Sequence, residues 1–121
     1  MRLLAYIASL FWFVTPAHAQ ANSFVCDFVK ECSLDGCRDA AMQLTFLTVN
    51  GEAYMQGNNG LARLGVVGGY DGITFLEALD GGVVQTTTVS ATQSVVHSRH
   101  TIILGDFVAS QWHGTCQTFT E

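Results

Sequence analysis

The chain has 121 residues, of which five are basic and ten acidic, and its formal net charge at neutral pH is −5. This balance excludes most nucleic-acid-binding proteins, which need a basic surface, and it disfavours docking to an anionic membrane. Apolar residues make up 49% of the chain, and their order predicts a leader followed by one β domain.

Residues 1–19 have the pattern of an export signal. Arg2 precedes an apolar run over residues 3–14, and Ala-His-Ala at 17–19 is typical of a cleavage site. As a helix the run would be roughly 18 Å long, too short for a hydrocarbon core of about 30 Å, which disfavours an uncleaved transmembrane anchor. Cleavage would leave residues 20–121 as a single domain with four basic and ten acidic residues, a net charge of −6, and no membrane anchor.

After the leader, the chain predicts eight strands. Its apolar runs are rich in β-branched and aromatic residues, and turn signals such as Asn50-Gly51 and Asp80-Gly81-Gly82 separate them. Gly105-Asp106 is expected to form a two-residue turn with glycine first. Segment 33–41 is expected to hold a turn of helix. The predicted strands are residues 23–30, 42–49, 52–56, 61–67, 73–79, 83–89, 95–104 and 107–119.

The connections between these strands are short, so sequential neighbours should pair antiparallel. Eight strands in up-and-down order predict a small closed β-barrel, whose interior has room for side chains or for one small ligand. An open two-layer β-sandwich built from the same strands is the alternative.

Four cysteines, Cys26, Cys32, Cys37 and Cys116, follow the leader. An even number of cysteines in an oxidising compartment predicts two disulfides. Of the three connectivities, we expect Cys26–Cys116, which would staple the closing seam of the barrel, and Cys32–Cys37, which would close a short loop. A zinc site with four thiolates is disfavoured, because the gaps between the cysteines lack the short spacings that such sites use.

The richest set of polar side chains lies on the last two predicted strands. With Gly105-Asp106 as their turn, Arg99 would lie opposite Trp112, and strand alternation would put His97 on the same face. We expect this face to point into the barrel, because tryptophan and the nearby Cys116 both favour burial.

Glu77 is expected to join them, because it shares a mostly apolar strand face with Phe75. The predicted ligand-binding site therefore consists of His97, Arg99, Glu77 and Trp112. Arg99 would offer a forked cation to a carboxylate or phosphate group, and Trp112 would stack on its guanidinium. In one alternative, Glu77 and Arg99 neutralise each other as a buried pair while His97 bonds to a backbone carbonyl. In another, these side chains point outward.

Neither a metal centre nor a catalytic site is expected. His100 and His113 are predicted to be diagonal neighbours on one face of the last hairpin, but His97 falls on the other face, which conflicts with a three-histidine zinc site. Ser98 points away from His97, and the sequence has no G-x-S-x-G elbow or phosphate-binding loop. We therefore expect a protein that is not an enzyme and holds no cofactor.

Several short motifs resemble those of a group of small secreted alphaproteobacterial proteins of unknown function. The motifs are Phe24-x-Cys26, Glu31-Cys32, Thr74-Phe75-Leu76-Glu77, the HSRHT run at 97–101 and the SQWHGTC run at 110–116. This resemblance implies no activity. In architecture, the predicted barrel with a cysteine near each end is also similar to the C-type lysozyme inhibitors of bacterial envelopes. The chain lacks a clear version of their Ser-Gly-x-x-Tyr loop, so no inhibitory residue is carried over.

These observations predict an exported β-barrel, periplasmic or secreted, that binds a small or anionic ligand without catalysis. The alternative is a protein-interaction module, such as an inhibitor of an envelope enzyme of the lysozyme type. That module would act through the loops at 57–60 and 68–72, whose Asn58, Asn59, Tyr70 and Asp71 suit protein contacts.

Overall fold

Short turns join each strand to the next along the chain, and the last strand pairs with the first. The computed structural model describes residues 21–57 and 60–120, and these residues form a closed antiparallel barrel of eight sequential strands. The prediction of a barrel is confirmed. The strands are β1 (Ala21–Ser33), β2 (Gly36–Val49), β3 (Glu52–Gly57), β4 (Gly60–Gly68), β5 (Gly72–Ala78), β6 (Val84–Ser90), β7 (Ser94–Ile103) and β8 (Asp106–Thr120).

The predicted export signal and its cleavage site lie outside the described residues, and so do Asn58 and Asn59. Within the described ranges, no helix is long and apolar enough to cross a bilayer.

Both expected disulfides are present. Cys26 lies directly opposite Cys116 in the pairing of β1 with β8, and their disulfide closes the barrel seam. Cys32 lies opposite Cys37 and is bonded to it near the β1–β2 turn. Two disulfides in a small domain indicate an oxidising environment outside the cytoplasm.

The expected turn of helix at 33–41 is wrong, because this segment holds the last residue of β1, a two-residue turn and the start of β2. The pairing of β1 with β2 continues past Cys32 to the pair of Ser33 with Gly36, and only two residues form the turn. Gly36 has a φ of 110°, a conformation that L side chains rarely adopt. The disulfide joins residues that face each other across this hairpin, which favours the ladder over a helix.

The expected Gly105-Asp106 turn is also wrong. Ile103 pairs with Asp106, and the turn residues are Leu104 and Gly105, with φ values of 51° and 86°. Positive φ at both central positions is the type I′ geometry, whose twist matches that of the flanking strands. The true register differs from the predicted one by two residues, and an even shift leaves every side chain on its predicted face.

A bulge in β1 changes which of its residues point inward. The register slips between Phe28 and Lys30 in the pairings with both neighbours. Gly114 lies opposite Phe28, and a Cβ at Gly114 would be 1.9 Å from the carbonyl oxygen of Asp27. Only glycine fits this approach. The bulge places Glu31 opposite Trp112, on the inward side of the sheet.

The barrel has two distinct ends. The turns β2–β3, β4–β5 and β6–β7, the start of β1 and the end of β8 are at one end, called here the terminal end. The turns β1–β2, β3–β4, β5–β6 and β7–β8 are at the other, called here the turn end. Aromatic rings fill the middle of the barrel, where Phe46 stacks on Phe75 with ring centroids 4.8 Å apart.

Candidate functional site

Three polar side chains form a row across adjacent strands at the turn end. Glu77 on β5 pairs with Gln85 on β6, and Gln85 pairs with Arg99 on β7. Residues that face each other in an antiparallel ladder lie on the same side of the sheet. Because Phe75 and His97, two residues away from Glu77 and Arg99, are buried in the barrel, strand alternation puts the row on its inner face.

Within this row, the guanidinium of Arg99 is not paired with the carboxylate of Glu77. The amide of Gln85 donates a short hydrogen bond to Glu77. Arg99 is exposed, and within residues 21–57 and 60–120 its guanidinium forms no ion pair. Glu77 and Arg99 therefore do not form the buried ion pair that the alternative interpretation expected. In the register Gln85 lies between the two charged residues, and its amide bonds to the carboxylate of Glu77 in place of Arg99.

A pocket of about 330 Å³ opens at this row. It lies between the β3–β4 and β5–β6 hairpins, and its walls combine the three polar side chains with aliphatic ones. The lining residues are Met55, Gly57, Gly60, Leu61, Ala62, Glu77, Leu79, Gln85 and Arg99. The structure thus brings two of the four predicted site residues, Glu77 and Arg99, together in one pocket.

His97 lies one row deeper and does not line this pocket. It is 4% exposed, and its Nδ1 is 2.7 Å from the hydroxyl of Thr87. This side-chain partner replaces the backbone carbonyl that the alternative interpretation expected. Burial, and secondarily the positive charge of Arg99, lower the pKa of His97 to about 4. The imidazole is therefore neutral at neutral pH and adds no positive charge beneath the pocket.

Trp112 also belongs to the deeper row. It lies opposite His97 in the ladder, and the two ring centroids are 5.6 Å apart. Phe28 also packs edge-on against the imidazole. The expected stacking of Trp112 on Arg99 is not what forms, because the register places Arg99 opposite Ser110 and His97 opposite Trp112.

Four residues of this region were missed at the sequence level. Gln85 and Thr87 are buried polar side chains on β6, and their alternation with the buried Val89 was a usable signal. Glu31 and Arg38 form an ion pair with a 2.8 Å separation beside Trp112. They were hidden because the bulge that turns Glu31 inward cannot be read from the spacing of β1.

The remaining histidines do not converge. His100 lies opposite Ala109, and His113 lies opposite Val96, so the predicted diagonal contact between the two histidines is lost through the two-residue shift in register. Among the residues that the structure describes, no group of three histidine, cysteine or acidic side chains could hold a metal ion.

Comparisons with known protein families, with characterised proteins and with solved structures give no match. The geometry of the barrel itself therefore carries the functional conclusions.

Proposed function

We propose that this protein is an exported, non-catalytic binding protein for a small anionic ligand, which it holds at the pocket of the turn end. The observation that carries the proposal is Arg99, an exposed cation in a pocket whose only described carboxylate, Glu77, is bonded to Gln85. A planar guanidinium with five donors suits a carboxylate or phosphate group of the ligand.

The walls of the pocket limit the size and charge of the ligand. Its volume of about 330 Å³ lies at the lower end of the range for small-molecule sites. Arg99 is its single cation among the described lining residues, and Glu77 repels further negative charge. We therefore expect a ligand with one anionic group and a short apolar part that contacts Met55 and Leu79.

Binding is tested by thermal unfolding in the presence of acetate, butyrate, inorganic phosphate and citrate. A ligand at one hundred times its dissociation constant stabilises a protein by about 2.7 kcal/mol, which corresponds to roughly 10 °C in a domain of this size. Trp112 is the one tryptophan outside the leader and lies in the row beneath Arg99, so its fluorescence gives a second readout.

Two arginine variants make the test specific. Arg99→Gln should abolish the stabilisation, because it removes the cation of the pocket. Arg63→Gln should preserve it, because Arg63 is exposed and bonded to Glu52 away from the pocket. The absence of a shift with every anion, or equal shifts in wild type and Arg99→Gln, would contradict the proposal.

We propose a periplasmic or secreted location for the protein. Its support is the leader pattern together with the two disulfides. Expression of the full chain and mass spectrometry of the exported product test it. A product that begins at Gln20 and lacks four thiol hydrogens is expected. A reduced product with an intact leader would contradict it.

A protein-interaction module remains a second candidate because of the β4–β5 loop at the terminal end. Tyr70 in this loop is 99% exposed, and an exposed tyrosine is typical of residues that anchor protein contacts. Activity of a C-type lysozyme, measured with and without an excess of this protein, tests the inhibitor form of the proposal. Inhibition that Tyr70→Ser removes would support it, and full lysozyme activity would contradict it.

A further inference from the structure

The β7–β8 hairpin projects beyond the rest of the barrel. The last pair that joins β7 to β6 is Arg99 with Gln85, and the last pair that joins β8 to β1 is Ser110 with Ser33. Residues 100–109, called here the ribbon, therefore pair only with each other. At about 3.3 Å per residue the ribbon extends roughly 16 Å from the wall of the barrel.

The ribbon exposes large apolar side chains. Leu104 is 100% exposed and Phe107 is 69% exposed, while Asp106 is the one formal charge in its sequence HTIILGDFVA. Ile102, Ile103 and Val108 are exposed too. Such a patch is at or above the size of the largest found on ordinary monomers, roughly 300–600 Å².

The turn at the tip of the ribbon uses an unfavourable residue. Asn50-Gly51 and Leu104-Gly105 have nearly the same backbone geometry, with first-residue φ values of 52° and 51°. Asparagine tolerates this left-handed conformation well, whereas a leucine there is uncommon and strained. The chain thus places a fully exposed leucine where asparagine would favour both the turn and the contact with water. This choice is understandable if Leu104 is covered by a partner.

A hollow lies at the base of the same ribbon. A pocket of about 340 Å³ lies between the ribbon and the β1–β2 turn, where Leu34, His100 and Ala109 contribute to its walls. Phe107 lies on the outward face of the ribbon, since its ring is close to that of His100. Leu104 lies at the tip of the same ribbon, in its turn. Leu104, called here the knob, is thus separated from the hollow by the length of the ribbon.

We infer that the partner is a second copy of this chain, bound through two antiparallel ribbons related by a twofold axis. In this arrangement Leu104 at the tip of each copy enters the hollow at the base of the other, so that one symmetric contact fills both sites. A single copy cannot fill its own hollow, because its knob lies at the far end of a paired and extended ribbon.

The apolar surface available fits such a dimer. With about 200 Å² for a fully exposed large side chain, the exposed fractions of Leu34, Ile102, Leu104 and Phe107 sum to roughly 600 Å². This area is close to the roughly 800 Å² per partner of a standard interface. An acidic tip on an acidic protein disfavours an anionic bilayer as the alternative cover.

The full chain is expressed and its oxidised exported product is purified. Sedimentation velocity of this product over a range of concentrations tests the dimer. We expect a reversible dimer, and we expect Leu104→Asn to raise its dissociation constant by roughly tenfold or more. This variant creates the Asn-Gly sequence of the other type I′ turn, so the fold should be kept. Val67→Thr, a matched change of an exposed apolar residue on β4, should leave the dissociation constant unchanged.

A photo-crosslinking residue at position 104, in an equal mixture of ¹⁴N- and ¹⁵N-labelled protein, locates the contact. Crosslinks between the two isotopic forms that reach Leu34, His100 or Ala109 are expected. A protein that stays monomeric at every concentration, a dimer that Leu104→Asn leaves intact, or flotation of the monomer with phosphatidylcholine vesicles would each overturn the inference. None of these outcomes bears on anion binding at Arg99, so the two proposals fail separately.

Discussion

The two ends of the barrel differ in what holds them together. At the terminal end, Cys26 and Cys116 tie the first strand to the last, and Cys116 also donates its backbone N–H to Gln93 in the β6–β7 turn. At the turn end, the second disulfide closes only a local hairpin, and the inner face carries the polar row Glu77, Gln85 and Arg99. The strongest constraint on the unfolded chain thus lies away from the pocket.

This difference explains how a small domain can hold an exposed cation at one mouth. Burial of apolar surface is the main driving force of folding, and in this barrel it is concentrated around Phe28, Phe46 and Phe75. We therefore expect the mouth at the turn end to contribute less to the free energy of unfolding, which would leave it free to carry polar groups. Matched substitutions, one at each end, test whether the two ends contribute differently to the free energy of unfolding.

Removal of the two disulfides one at a time should give the largest contrast. The Cys26–Cys116 bridge spans 90 residues of sequence and the Cys32–Cys37 bridge spans 5. The chain-entropy relation predicts losses of about 4–5 kcal/mol and about 2 kcal/mol respectively. The double variants Cys26→Ala/Cys116→Ala and Cys32→Ala/Cys37→Ala, unfolded in guanidinium chloride, give the two free energies. Equal losses would show that the seam does not dominate the stability of the barrel.

Gly114→Ala should destabilise the barrel by about 3 kcal/mol, because its methyl group would overlap the Asp27 carbonyl at the β1 bulge. Gly68→Ala is the control, since a Cβ there meets nothing within 4 Å, and its effect should stay within about 0.5 kcal/mol. Urea unfolding of both variants checks the prediction. A small effect at Gly114 would mean that β1 can lose its bulge without harm to the seam.

The buried His97 should make the stability of the protein depend on pH. Its pKa is about 4 in the folded barrel, against an ordinary value of 6.5 for a solvated histidine in the unfolded chain. Between these values the unfolded chain binds a proton that the folded protein does not, so stability decreases as the pH falls from 6.5 towards 4. At pH 5 the loss relative to pH 7 should be about 2 kcal/mol.

Guanidinium unfolding at pH 5 and pH 7 measures this loss. His97→Gln keeps a hydrogen-bonding group near Thr87 but has no titratable ring, so its stability should change much less between the two pH values. His100→Gln is the control, because His100 is exposed and the variant should keep the dependence of the wild type. If the stability of His97→Gln depended on pH as strongly as that of the wild type, other titratable groups would be responsible for the pH dependence.

The sequence predicted the barrel because its evidence is local and repeated: short apolar runs, glycine turns and an even number of strands. It also predicted which residues of β7 and β8 face inward, since the error in register was two residues and not one. What it could not predict depended on cross-strand geometry. The left-handed φ of Leu104 contradicts the preference of leucine, and the bulge near Val29 appears only when Gly114 is known to lie opposite Phe28.

The candidate site shows the same limit. Glu77 and Arg99 could be placed on one inner face from strand alternation, but not their partners. The pairing depends on Gln85, which lies between them in the ladder and bonds to Glu77. The depth of His97 likewise depends on its position opposite Trp112, one row below the pocket.

The two ion pairs should give the smallest contrast, since each is at the surface of one end. Arg38–Glu31 lies at the turn end and Arg63–Glu52 at the terminal end, with N–O distances of 2.8 and 2.9 Å. Exposed pairs of this kind contribute about 0–1 kcal/mol and are screened by salt. The side chain of Glu31 is 19% exposed and that of Glu52 is 45% exposed, so Arg38→Met should lower the free energy of unfolding slightly more than Arg63→Met.

Chemical unfolding of both variants at low and high NaCl concentration measures this small difference, which salt should reduce. A loss above about 2 kcal/mol for Arg38→Met would instead make the Glu31–Arg38 pair part of the barrel's structural core and remove the distinction between a rigid terminal end and a permissive turn end.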